Sequence, residues 1–599
     1  MASCVATGPW RYCKIGKMVV LGITETHCAT AAILRDGAIV GCASEERFTR
    51  LKNDAGYPRL AVDALLCELH LTPRDIDLVA LAGSRAYARE WINRVLHDTD
   101  YARTYYGVRL DEPARGLGRR ARKLGARLGL TERSRGKFEL SERERLAFVT
   151  DHLGIDAGRI VTYDHHLCHA AAAYFGSPFE GERALVLTND NAGDGLCASA
   201  STGQGTTLAR HEAVPSAPGS LGSFYSFVTL LLGMKFGEHE YKVMGLAPYA
   251  PARQAERAYE ALGAVFGLQP TTPARFVWKR RGPRYRLLLE STLGLRFDAV
   301  AAGAQRIVEE SLLAWTRLMR ERHGGDRLAL GGGVFMNVKA NGLIAEEPWL
   351  RDLFVFPSCG DESNAVGAAY LGWLARTGAD ARPRPFGPAY LGPSIDAAAV
   401  ETLIRARDLT SKYRVTEHER IEERIAELLV SDGVVARCAG RMEFGARALG
   451  NRSILANPSD HRVVGTINRM IKNRDFWMPF APSILREREQ DYVVNPKGLA
   501  SPYMMLAFAT NPKRQDEIAA ALHPHDATAR AHLVDEAWNP PYHRVMREFE
   551  RRTGIGAVLN TSFNLHGEPL VGSAEDALDT FERSGLPHLA LDRWMISKK

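Results

Sequence analysis

In the run Tyr163-Asp-His-His-Leu-Cys-His-Ala-Ala-Ala-Ala-Tyr, His165 and His169 stand four residues apart. On a helix that spacing puts both imidazoles on one face, one turn apart, as two ligands of a single metal ion require. His166 points about 100° away from them. A His-x3-His pair by itself is more often structural, but carboxylates accompany this one. Asp190 and Asp194 follow the apolar run Ala184-Leu-Val-Leu-Thr, and Asp361 follows Phe354-Val-Phe-Pro-Ser-Cys-Gly. Two imidazoles with two carboxylates suit iron, manganese or zinc alike.

A second set of residues suits anions. Arg441-Met-Glu-Phe-Gly-Ala-Arg-Ala-Leu-Gly-Asn-Arg-Ser supplies Arg441, Arg447 and Arg452, with Lys472 and Arg474 close behind. Arginine forks bind phosphate bidentately and lysine adds a point charge, a density that suits ATP with a second phosphate. The interleaved Phe444, Gly445, Leu449 and Gly450 are not what a solvated charge run looks like. Asn560-Thr-Ser-Phe-Asn adds hydroxyl and amide donors after a strand. In Gly331-Gly-Gly-Val-Phe-Met-Asn337, bare backbone N–H groups have room to approach phosphate or adenosine, although a triple glycine alone is a weak signal. The chain has no G-x-x-x-x-G-K-[ST], no G-x-S-x-G and no H-E-x-x-H, which excludes P-loop, serine-hydrolase and zincin chemistry.

These residues need strands and helices to hold them. Met18-Val-Val-Leu-Gly-Ile-Thr reads as a buried strand, and the apolar runs on either side of Asp36-Gly37 as a β-hairpin that opens a domain. Residues 59–71 have helical spacing and Ile76-Asp-Leu-Val-Ala-Leu-Ala reads as another strand. A second half returns with Arg183-Ala-Leu-Val-Leu-Thr, a helix over 304–323 and the strand Arg327-Leu-Ala-Leu, so two similar α/β halves are expected. Four prolines between 380 and 394 should interrupt regular structure, and the domain boundary is placed there. A further α/β unit is expected over 396–599, with helices at 399–408 and 417–431 and strands at Gly433-Val-Val-Ala-Arg and Gly556-Ala-Val-Leu-Asn. The basic stretch within 114–146 reads first as a solvated helix face.

With 599 residues, 45% hydrophobic and 25% charged, the chain has room for two to four domains and is neither disordered nor fibrous. Its net charge of +7 is small for this length and does not by itself argue for nucleic acid or membrane. Nine scattered cysteines without a C-x-x-C suit a reducing compartment, and no h-region or long apolar stretch is present, so a cytoplasmic location is expected.

Over about 18–80 and 160–595 the chain resembles the O-carbamoyltransferases typified by the nodulation-factor, cephalosporin, aminoglycoside and ansamycin enzymes. The resemblance rests on Ala43-Ser-Glu-Glu-Arg-Phe-Thr-Arg, His165-His-x-x-His-Ala, Glu240-Tyr-Lys-Val-Met-Gly-Leu-Ala-Pro-Tyr, Gly331-Gly-Gly-Val-Phe-Met-Asn, the arginine run from Arg441, and Asn560-Thr-Ser-Phe-Asn. It implies an α/β chain with a two-lobed actin/hexokinase-like domain over 18–385 and a YrdC-like domain over 396–599. The YrdC-like site would convert carbamoyl phosphate and ATP to carbamoyl-adenylate, with loss of phosphate and pyrophosphate. The N-terminal site would pass the carbamoyl group to the hydroxyl of a small-molecule natural product and release AMP.

By the same resemblance His27 would deprotonate the acceptor, a task that suits an imidazole near pH 7. His165, His169, Asp190 and Asp361 would hold a divalent metal, iron by the family's precedent, while Mg accompanies ATP. Lys242, Gly331, Gly332, Gly333 and Asn337 would contact the adenylate, and Arg447, Arg452, Lys472, Arg530 and Ser562 would contact carbamoyl phosphate and ATP. Neither nucleic acid nor membrane is implied. Two departures stand out: Cys28 follows His27 where the family has Asp, and Met478 precedes Pro479-Phe-Ala-Pro where Arg is common. A tRNA threonylcarbamoyl-type transferase and an inactive nucleotide-binding scaffold are the rival readings. Residues 84–147 match no family motif, and their Trp91, Tyr101, Tyr105 and Tyr106 make them the candidate acceptor-recognition segment.

Overall fold

A computed structural model describes residues 18–105, 138–378, 381–431, 433–472 and 475–599. Strands β1 (Val19–Thr24), β2 (Thr30–Arg35), β3 (Ala38–Ser44), β4 (Leu78–Ala82) and β5 (Ile160–Tyr163) form one sheet in the order β3-β2-β1-β4-β5. The first three are antiparallel and joined by tight turns, whereas β1, β4 and β5 run parallel. The pattern recurs in β6 (Ala184–Gly193), β7 (Leu196–Gln204) and β8 (Thr207–Pro215), followed by a separate hairpin of β9 (Phe266–Gln269) and β10 (Arg275–Trp278). With β11 (Arg327–Gly331) and β12 (Asp352–Val355) the second sheet has the order β12-β11-β6-β7-β8. Its β6, β7 and β8 are antiparallel, and β6, β11 and β12 are parallel. One topology therefore occurs twice, as the two-lobed actin/hexokinase-like fold requires.

Two helices lie between these sheets. The helix His165–Phe175 packs on β6 and β11, the helix Ser363–Thr377 packs on β1, β2 and β4, and the two helices pack on each other. Their close approach follows from sequence: Ala170–Ala173 present only methyl groups, and a Cβ on Gly367 would lie 1.8 Å from the Cys168 carbonyl oxygen. The approach brings His169 toward the start of the second helix, just after Asp361.

Further along, β13 (Tyr390–Ser394) opens the remaining part, followed by β14 (Arg414–Glu417), β15 (Val435–Cys438) and β16 (Arg441–Glu443), which pairs with β13. Then come β17 (Arg452–Ala456), β18 (Ala481–Leu485), β19 (His532–Val534), β20 (Ala557–Ser562), β21 (His588–Leu591) and β22 (Trp594–Ser597). An eight-stranded mixed sheet results, in the order β14-β22-β21-β15-β17-β20-β18-β19. Two expectations shift. Regular structure resumes at Tyr390 inside the proline-rich segment, because Pro393 sits in a two-stranded ladder where a missing donor costs little. The long helix begins at Phe297, not 304.

The largest apolar cluster joins both sheets of the first part to Phe444, Leu449, Tyr492 and Tyr503 of the second. Among the described residues, no helix is long and apolar enough to cross a membrane. Most of the basic stretch and Tyr106 lie outside the described residues.

Candidate active site

Strand β6, the helix His165–Phe175 and the segment between β12 and the helix Ser363–Thr377 deliver the metal-type ligands. Ligand atoms of His165, His169, Asp190 and Asp361 lie within 4.8 Å of one another, and all four residues are buried. The two imidazole Nε2 atoms are 3.1 Å apart. Asp190 Oδ2 is 3.1 Å from His165 Nε2 and 3.4 Å from His169 Nε2, while Asp361 Oδ1 is 3.4 and 3.6 Å from the same atoms. Donors placed about 2.0–2.2 Å from one cation lie at about such separations from each other. Ser363 Oγ donates to Gly360 O and so accepts from His169 Nδ1 at 3.0 Å, which leaves Nε2 as the nitrogen that faces the cluster. Asp361 Oδ1 is buried without a hydrogen-bond partner. The residues present thus fit a divalent cation.

Burial and Asp361 would both raise Asp190, but hydrogen bonds from the two imidazoles hold its carboxyl below the usual range. Burial would lower His169, yet Asp190 and Asp361 lift it to about 9. Asp194, the other carboxylate the sequence offers, stands apart: it accepts from the Ser84 N–H and hydroxyl and from His165 N–H, and so caps the helix. His166 bonds Thr188 Oγ1 at 2.9 Å and is pushed by burial down to about 3.

His27, in the turn between β1 and β2, places Nδ1 3.3 Å from Asp361 Oδ2, on the far side of that carboxylate from the His pair. Burial would lower its pKa, but Asp361 raises it to about 9. Cys28 takes a positive φ of 59° and turns its thiol toward Asn53 Oδ1 at 3.5 Å.

A single cavity of about 540 Å³ runs from His27 and Asp190 to the cationic residues of the last sheet. Of the residues expected there, Lys242, Gly333, Asn337, Arg447, Lys472, Arg530 and Ser562 line it. Arg447 stands in the loop after β16, and its Nε is buried without a partner. Burial lowers its pKa, with Tyr241 and Glu362 opposing. Lys472 Nζ reaches Ser562 Oγ at 3.1 Å and Asn564 O at 3.2 Å. Lys242 pairs with Asp475 at 3.0 Å.

Four expected contacts have their groups engaged elsewhere. Arg452 is fully buried outside the cavity, and its guanidinium donates to the carbonyls of Ala439, Gly440 and Gly572, so it ties β17 to the turn between β15 and β16 and to the segment at Gly572. Gly331 and Gly332 are packing residues. A Cβ on Gly331 would lie 2.8 Å from His169 O, and one on Gly332 2.4 Å from Asn189 O; Gly332 also has φ +94°. The Asn337 amide is taken up by Gln305 and by capping the helix Val338–Ala345.

Sequence reasoning missed Glu443, Glu362 and Asn364. Glu443 Oε1 accepts from the N–H groups of Leu449, Asn451 and Arg452 and so shapes the Arg447 loop. Glu362 lines the cavity between Asp361 and Arg447, and Asn364 Nδ2 lies 3.3 Å from His169 Nε2. The available signals were nearness to Asp361 for Glu362 and Asn364, and for Glu443 its place in the run from Arg441 to Ser453.

Known proteins match the chain in two stretches. The family description "Carbamoyltransferase N-terminus" matches residues 19–370, and "Carbamoyltransferase C-terminus" matches 426–598. The chain is 31% identical over 622 residues to the uncharacterized protein sll1178 of Synechocystis sp., covering 97% of this chain and 96% of that one. It is 30% identical over 588 residues to nodulation protein NolNO of Sinorhizobium fredii, covering 96% and 80%. Nodulation protein NolO of Bradyrhizobium diazoefficiens is 32% identical over 443 residues, covering 73% and 79%. Matched through both of its parts and along nearly its whole length, the chain belongs to the carbamoyltransferase family, and it is an enzyme of that kind.

Proposed function

We propose that this carbamoyltransferase is an O-carbamoyltransferase that makes carbamoyl-adenylate at the Arg447–Lys472–Arg530 wall and delivers the carbamoyl group to a secondary-metabolite hydroxyl beside His27. The observation that carries the reading is the single cavity lined by both groups of residues. Carbamoyl phosphate, ATP and one water yield carbamoyl-adenylate, phosphate and pyrophosphate: water displaces phosphate from carbamoyl phosphate, and a carbamate oxygen then bonds to the α-phosphorus of ATP as the bond to pyrophosphate breaks. Arg447, whose guanidinium Nε lacks a partner, and Lys472 with Ser562 hold the phosphate oxygens by charge-assisted hydrogen bonds. Lys242 and the Gly333 backbone orient the adenylate.

In the second step His27 takes the proton of the acceptor hydroxyl, the oxygen bonds to the carbamoyl carbon, and the bond from that carbon to the AMP phosphate oxygen breaks. A divalent cation on His165, His169, Asp190 and Asp361 would supply Lewis-acid polarisation and would compete with His27 for the Asp361 charge. Asp361 orients the His27 ring through Nδ1 and leaves Nε2 to meet the hydroxyl.

The domain assignment, 18–385 for transfer and 396–599 for adenylate formation, belongs to this proposal. Incubation with carbamoyl phosphate and ATP should release pyrophosphate without any acceptor, and addition of an acceptor panel should give a product in which one H is replaced by CONH₂. Absence of carbamoyl-phosphate-dependent pyrophosphate release would end this reading.

A further inference from the structure

The cavity has a third wall that neither the adenylate-forming residues nor the metal-type cluster uses. Among the described residues it consists of Trp91, Ile92, Val95 and Leu96 from the helix Arg89–His97, together with Phe236 and the polar pair Lys52 and Glu238.

This wall is tied to the His27 turn. Cys28 N–H donates to Asn53 O at 3.5 Å and Ala29 N–H to Asp54 O at 2.8 Å. Asp54 is gripped by Arg89 Nε at 3.0 Å and Asn93 Nδ2 at 2.9 Å, both on that helix. The next side chain, Asn93, also accepts from Ala55 N–H at 3.2 Å. The helix is thus pinned against the loop that holds His27, and its apolar face is turned into the chamber. Leu96 sits against Gly237, and Trp91 stacks on Phe138 with centroids 5.8 Å apart, so this face is braced from behind.

The charges beside it offset one another, Lys52 and Lys235 against Glu238 and Glu46. Lys52 Nζ is 3.2 Å from Glu238, Lys235 is 3.3 Å from the same carboxylate, and Lys52 also lies 5.9 Å from the Tyr241 ring centroid. A charged acceptor docked here would meet ions that are already paired, and would lose water without gaining a counter-charge. An uncharged apolar skeleton gains by covering the exposed parts of four hydrocarbon side chains.

Resting on the two-site reading above, we infer that the acceptor is an uncharged, mainly apolar ring-bearing alcohol, whose skeleton lies on Trp91, Ile92, Val95, Leu96 and Phe236 while its hydroxyl faces His27. The full-length enzyme with carbamoyl phosphate and ATP is offered cyclohexanol, 4-tert-butylcyclohexanol, 4-hydroxycyclohexanecarboxylate and 4-aminocyclohexanol. Transfer is read by the mass of the carbamate and normalised to pyrophosphate release by the same preparation.

The neutral tert-butyl alcohol should show kcat/KM at least tenfold above the other three, and Ile92→Ala and Leu96→Ala should each cut that preference severalfold, chiefly through KM. A charged analogue that matches or beats it, a preference unchanged in both variants, or no carbamate from any of the four while pyrophosphate is still released would overturn the inference. Each of those outcomes leaves adenylate formation standing, whereas loss of pyrophosphate release strikes the two-site reading instead.

Discussion

His27 and Arg447 face one chamber from different parts of the chain, and their chemistry separates cleanly. Arg447→Ala or Lys472→Ala should lower carbamoyl-phosphate-dependent pyrophosphate release by at least about a hundredfold, the scale for losing a preorganised charge contact. His27→Asn should keep that half-reaction within a few-fold and abolish carbamate formation, because a proton acceptor is needed only in the second step. Equal loss of both activities in His27→Asn would contradict the division. Sequence spacing identified the His165–His169 pair and Asp361, but it could not choose between Asp190 and Asp194. Strand β6 ends beyond Asp190, and the bend after it sends Asp194 to the helix cap, a choice that depends on register and not on residue type. A pH prediction also belongs at this scale. Burial lowers His532 to about 3, and the ring bonds Ser483 Oγ at 3.0 Å. The unfolded chain binds a proton on this histidine below about pH 6.5 and the folded chain only near pH 3, so stability is intact above pH 6.5 and is lost as pH falls through that window. His532→Gln should flatten the fall of Tm between pH 6.5 and 4; an unchanged slope would assign the acid sensitivity to other groups.

At the scale of elements, the contact between the helices His165–Phe175 and Ser363–Thr377 decides whether the ligand cluster exists. Because a Cβ on Gly367 would collide with the Cys168 backbone, Gly367→Ala must push the helices apart, at a cost of about 1–3 kcal/mol for overpacking. Bound metal, measured by elemental analysis, should fall together with Tm. Full metal content in a Gly367→Ala protein with a lowered Tm would show that the cluster tolerates the displacement. The helix and strand types were readable from the alternation of apolar runs, and the hairpin at Asp36-Gly37 is where its turn chemistry places it. The strand at Tyr390–Ser394 was not readable, because its partner β16 lies about 50 residues away and local proline content points to a loop.

For the whole molecule, the last sheet has apolar cores of its own, around Val434 and Leu559 and around Leu429 and Phe549, but it also shares the large cluster with the first part. Tyr503 packs near Phe354 and Phe386 and donates to Phe386 O at 3.1 Å and Gly387 O at 2.8 Å. Asn341 Nδ2 donates to Met505 O at 2.9 Å, and His523 bonds Gly245 O at 2.9 Å. The cavity is walled by both parts, so cutting the chain between 386 and 395 should expose apolar surface and open the adenylate chamber to water. A 396–599 fragment should bind a hydrophobic dye and melt at a lower temperature than the intact chain. A fragment that melts at the temperature of the intact chain and releases pyrophosphate at the intact rate would show that the shared core is dispensable.

Local chemistry determined much of this protein. Periodicity and turn residues set the α/β elements, four-residue spacing paired His165 with His169, and arginine density marked an anion site, because each of these depends on neighbours a few residues apart. Long-range folding decided the rest. It turned Arg452 from a ligand candidate into a clamp on the carbonyls of Ala439, Gly440 and Gly572, consumed two of three glycines in helix and strand packing, and set Trp91, Ile92, Val95 and Leu96 in the same cavity as Arg447. Those outcomes depend on which faces meet when residues up to several hundred positions apart are buried together, and a one-dimensional pattern does not contain that information.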